Sequence, residues 1–106
     1  MKFLFLSYLD RGMTPGPDVA AQYGALSQEM RAAGVLVDNA QLSPGDASNV
    51  VRVVDGATEV AAGLARPGEP ALAYFVLECQ DVDDALAWAA RLPAATYGSV
   101  EVRSQR

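Results

Sequence analysis

The sequence predicts an α+β domain, an antiparallel-rich sheet with two helices on one face. Three neighbouring observations lead there. Ala71 to Leu77 is an unbroken apolar run, too short for a helix core and rich enough in aromatics for a strand. A helix start follows at Asp81-Val-Asp-Asp84: an N-cap aspartate accepts from free backbone N–H groups, and two further acids sit in the positive first turn. Pro93 stops that helix, and after Gly98 the alternating Ser99 to Arg103 reads as a half-buried strand.

The remaining elements follow in chain order. Residues 2 to 9 form a strand with Phe3, Phe5, Ser7 and Leu9 on one face and Leu4, Leu6 and Tyr8 on the other. Gly12, Pro15, Gly16 and Pro17 mark a loop over residues 10 to 17. Asp18 is placed as an N-cap, and Val19, Tyr23, Leu26, Met30 and Ala33 form one apolar stripe on a helix that Gly34 closes. Val35 to Leu42 is the next strand, punctuated by Ser43-Pro-Gly-Asp46. Asn49 to Val54 is another, and Asp55-Gly56 predicts a hairpin returning over Thr58 to Ala61. Arg66 to Pro70 is a loop. In the second helix the stripe is Val82, Ala85, Leu86 and Ala89.

The order β-α-β-β-(β)-β-α-β suits a ferredoxin-like two-layer sandwich. Strands 2–9 and 71–79 are apolar on both sides, whereas an antiparallel strand with a wet face alternates. One face therefore needs cover. A second copy of the sheet supplies it, giving a homodimeric α/β barrel; the alternative cover is the segment between residues 56 and 70.

Composition narrows the function classes. At 106 residues the chain is one domain, 1–106, and its 51% hydrophobic content suits a globular protein. A net charge of −5 argues against a nucleic-acid partner. Cys79 is the single cysteine, so no internal disulfide forms, and a reducing, cytoplasmic compartment is expected. Histidine is absent, which removes Ser–His and Cys–His nucleophile pairs and His-containing zinc sites. The apolar N-terminus is broken by Ser7, ends at Asp10 and lacks a small-residue cleavage site, so it is not read as a signal peptide. No run reaches the ~20 residues of a membrane span, and neither a membrane nor a cofactor is expected.

Four stretches, two in each half of the chain, are similar to YCII-related proteins of the DGPF type: Tyr23 to Leu36 with Val51 to Gly56, and Asp83 to Pro93 with Gly98 to Arg103. The resemblance covers nearly the whole chain. It implies a bacterial protein with a ferredoxin-like fold that dimerises as an α/β barrel. Most relatives of this kind have no established activity, a few resemble small-molecule lyases or dehydrochlorinases using a His–Asp pair, and some occur beside extracytoplasmic-function sigma factors. Here the Asp-Gly-Pro-Phe signature falls on Ala62-Gly63-Leu64-Ala65, keeping only the glycine, and the active-branch histidine falls near Tyr23. The resemblance thus implies a small-ligand or partner-binding homodimer without His-based catalysis, with a tyrosine-and-carboxylate lyase or isomerase as the alternative.

Candidate pocket residues are Ser7, Tyr8, Tyr23, Arg52 and Tyr74. Tyr23 can offer its phenol to a ligand or serve as a core tyrosine with its hydroxyl at the rim. Tyr8 and Tyr74 can line a cleft between sheet and helix or pack in an interface. Ser7 is a pocket donor or is bonded to backbone. Arg52 can hold a carboxylate, but a cross-strand or cross-dimer ion pair is the simpler account. Asp55 is explained by its turn. Glu78 is a buried acid of raised pKa or an exposed strand-end residue. Capping explains Asp81, Asp83 and Asp84 without a metal, Cys79 reads as an inert small hydrophobe, and Trp88 as packing at the stripe edge or at a dimer contact.

Overall fold

The computed structural model describes residues 1–10, 16–42, 47–68 and 70–106. Gly12 and Pro15 of the first loop, the turn Ser43 to Asp46, and Glu69 lie outside the described residues. The elements are β1 (Lys2–Leu9), α1 (Val19–Ala32), β2 (Leu36–Gln41), β3 (Asn49–Val54), β4 (Ala57–Ala62), β5 (Ala71–Glu78), α2 (Val82–Ala89), α3 (Ala94–Tyr97) and β6 (Gly98–Ser104). Four strands form one antiparallel sheet in the order β2-β5-β1-β6, and β3 and β4 form a separate two-stranded hairpin. The mixed α+β class is as expected. The single chain forms an open sheet, with no closed barrel among the described residues.

The two central strands decide which face is inside. Phe3, Phe5 and Ser7 of β1 stand opposite Leu77, Phe75 and Ala73 of β5, and all six are buried. Leu26 and Met30 of α1, Ala85 and Ala89 of α2, and Leu92 complete this core. The alternate residues Leu4, Leu6, Tyr74 and Val76 point the other way and remain half-buried. On the outer strands that second face carries Glu101 and Arg103 of β6 and Asp38 of β2. An apolar centre thus lies between charged flanks.

Local chemistry explains the element ends. Gly34 takes φ +73, and the Gly34 and Val35 N–H groups donate back to Arg31 and Met30 carbonyls, a C-terminal cap that uses glycine's left-handed freedom. Asp55 and Gly56 both have positive φ, as a type I′ hairpin turn requires. Asp18 precedes α1 as expected, but its side chain makes no capping hydrogen bond. Asp81 does cap α2: its carboxylate accepts from the Asp84 N–H at 2.8 Å, while Asp84 accepts from the Gln80 N–H at 3.2 Å.

The stripe expected on α2 is corrected. Ala85 and Ala89 are buried, but Val82 and Leu86 are 51% and 49% exposed. The inward face is centred one position round the helix, on Ala85, Ala89 and the following Leu92, with half-buried Trp88 beside it. Trp88 and Leu92 carry more apolar area inward than Val82 and Leu86 would. Pro93 has no N–H for the Ala89 carbonyl, so α2 ends there, and the same proline opens the short α3 that sequence patterning had not indicated. Glu29 of α1 forms an ion pair with Arg91, whose guanidinium lies 5.0 Å from the Trp88 ring, tying the two helices together.

Candidate functional site

The best-furnished recess lies between α1 and the β2–β5 edge of the sheet, a cleft of about 320 Å³. Its floor is aromatic. The Tyr23 ring stacks on Phe75 with centroids 6.0 Å apart and planes at 16°. Around that floor stand Ser27 and Arg31 of α1 and Asn39 and Gln41 of β2. The Asn39 amide donates to the Ser27 hydroxyl at 3.2 Å, fixing strand against helix. A second recess of about 240 Å³ continues past Tyr23 towards Leu42 and Leu72.

Gly24 borders the cleft from within α1, and a Cβ built on it meets nothing within 4 Å. A helix-interior glycine costs roughly 1 kcal/mol relative to alanine, and no contact in the chain requires it here. An alanine there would add a methyl at the border of the cleft. Chemically the cleft offers a stacking surface, hydroxyl and amide groups, and one guanidinium. Among the described residues none that lines it is a carboxylate.

The candidate residues do not converge on one place. Tyr23 lies in the α1 cleft. Ser7 lies beneath the helices, opposite Ala73, fully buried, and its hydroxyl has no hydrogen-bond partner among the described residues. Tyr8 and Tyr74 stand on the other sheet face, so neither enters the space between sheet and helices. Tyr8 borders a cleft of about 580 Å³ with Asp10, Arg66, Glu101 and Arg103. Through Arg66 and Gly68 the segment after β4 reaches this end of the face, while β4 itself is paired with β3 away from it. Arg52 lies on the exposed hairpin, in register with Glu59.

A tyrosine and a carboxylate do meet, at Tyr74 and Asp38. The phenol donates to Asp38 Oδ2 at 2.9 Å on an exposed site. That bond, reinforced by the carboxylate charge, raises the Tyr74 pKa above the usual tyrosine value, so the phenol stays protonated through neutral pH. It is a donor there, not a base. Burial, and next the charge of Asp84, push the Cys79 thiol upward, which keeps it unreactive. Glu78 is exposed at its strand end. Among the described residues no group of three or more His, Cys, Asp or Glu is placed to hold a metal ion, and no helix is long and apolar enough to cross a membrane.

Patterning had singled out Tyr23 but missed Gly24, Arg31, Asn39 and Gln41. An exposed polar residue on a helix or edge strand carries no periodic signal, and only the packing of α1 against β2 brings these together. No protein-family model matches the chain, and no curated protein matches it at a significant level.

Proposed function

We propose that the protein is a cytoplasmic, homodimeric α+β domain that binds a small planar ligand in the α1 cleft and does not catalyse by histidine chemistry. The cleft carries this reading: an aromatic floor of Tyr23 on Phe75, polar walls, one arginine, and a glycine at its border. Such a lining suits an aromatic acid, whose ring stacks on Tyr23 and whose carboxylate meets Arg31. That no described residue lining the cleft is a carboxylate favours binding over the tyrosine-and-carboxylate lyase. The sheet order β2-β5-β1-β6, with helices on one face, supports a ferredoxin-like assignment and the YCII-related resemblance. The apolar sheet face between charged flanks supports pairing of two copies through that face. The single, buried cysteine is at home in a reducing compartment.

Thermal unfolding with benzoate, 4-hydroxybenzoate and neutral phenols tests the reading. A ligand at 100 times its Kd adds about 2.7 kcal/mol and moves the midpoint by roughly ten degrees or more. Gly24→Ala should raise the ligand-free midpoint, because alanine favours helix by roughly 1 kcal/mol, and should shrink the ligand shift by filling the cleft. A flat midpoint across the acids and phenols, or an unchanged shift in Gly24→Ala, counts against the cleft.

A further inference from the structure

The most exposed valines of the molecule stand together on one element. Val51, Val53 and Val60 are 61%, 68% and 64% exposed. The register sets Val51 opposite Val60 and Val53 opposite Thr58, so the three share one face of the β3–β4 hairpin. The other face is divided by the Arg52–Glu59 pair. Every strand residue of the hairpin except Val50 is exposed, so the described residues of its own chain leave it uncovered. A two-stranded hairpin is marginal in water unless something packs on it.

The surface area of the molecule points the same way. A folded monomer of 11.2 kDa exposes about 5,700 Å², whereas this chain exposes 7024 Å². The excess of about 1,300 Å² is more than the ~800 Å² each partner gives to a standard interface. The radius of gyration, 15.5 Å, likewise exceeds the roughly 13 Å of a compact domain of this length.

We infer that the hairpin is a dimerisation arm, whose valine face lies on the apolar sheet face of a second copy of this chain. The receiving surface is Leu4, Leu6, Tyr74 and Val76, apolar and only half-buried. A six-residue strand spans roughly 20 Å, about the width of a four-stranded sheet, so the arm is long enough to cross its partner. Two-fold symmetry makes the contact reciprocal, each arm on the other's sheet. The inference rests on the homodimer proposed above and adds the element that holds it.

Sedimentation equilibrium on the full chain tests it. Val53→Lys should weaken the dimer at least tenfold or so, because an ammonium trapped against apolar surface is costly. Val60→Lys, on the neighbouring strand, should do the same. Ala61→Lys, on the Arg52–Glu59 face, should change the dissociation constant by no more than about threefold, as an exposed charge does. Each chain carries −5, so an added lysine lessens repulsion between copies, and a weaker dimer reports local burial. A wild-type dimer that Val53→Lys and Val60→Lys leave intact, or that all three weaken equally, overturns the arm and spares the homodimer. A monomeric wild type at micromolar concentration overturns both.

Discussion

At the residue scale, the tightest constraint is Gly98, where α3 passes directly into β6. A Cβ there would lie 1.9 Å from the Tyr8 carbonyl oxygen and 2.9 Å from the Asp10 nitrogen and the Leu9 Cα. These are backbone atoms of the paired strand and cannot swing aside. Gly98 has φ −168, outside the left-handed region, so the demand on it is for space. Gly98→Ala is expected to cost about 3 kcal/mol, as overpacking against fixed atoms does. Urea unfolding measures it, and a loss under about 1 kcal/mol would mean that β6 can stand further from β1. Ser7 is the opposite case. Its hydroxyl is buried without a partner among the described residues, an arrangement that usually costs stability.

At the scale of elements, the two helix starts make a controlled comparison. Asp81 accepts from the Asp84 N–H, whereas Asp18 precedes α1 without a capping bond. Asp81→Ala should therefore destabilise the protein by about 1 kcal/mol, and Asp18→Ala by no more than about 0.5. Equal losses in denaturant titrations would show that charge at the helix end, not the hydrogen bond, carries the effect. The sequence could not separate the two, since both are aspartates before an apolar stripe. Strands 2–9 and 71–78 were legible because their apolar runs and alternation are local. The hairpin was legible because Asp55-Gly56 permits positive φ at both positions. The face of α2 was not, because Val82 and Leu86 match Ala85 and Ala89 in period, and only the packing of Trp88 and Leu92 decides which side turns inward. The site was legible at Tyr23 alone, since its other walls are polar residues that tertiary structure gathers.

At the scale of the whole molecule, the chain divides energetically into a core and an arm. Every residue of the hydrophobic core belongs to the four-stranded sheet or to the segments packed on its helix face, and none lies between residues 49 and 62. The base of the hairpin is closed by the Gly63 N–H donating to the Ser48 carbonyl at 2.8 Å, so the two ends of the arm are adjacent. Residues 49–62 can therefore be replaced by a short glycine link without moving the sheet. The shortened protein should still unfold in one cooperative step, because the burial that drives folding is retained. It should also lose its dependence on concentration. A dimer's midpoint rises with protein concentration because association stabilises the folded form, and a monomer's does not. The full chain should thus show a midpoint that climbs with concentration and the shortened chain one that stays fixed, both read by circular dichroism melts over a hundredfold range. A shortened chain with no cooperative transition would mean that the arm belongs to the folding unit. One that still climbs with concentration would mean that the sheet faces hold the dimer without it.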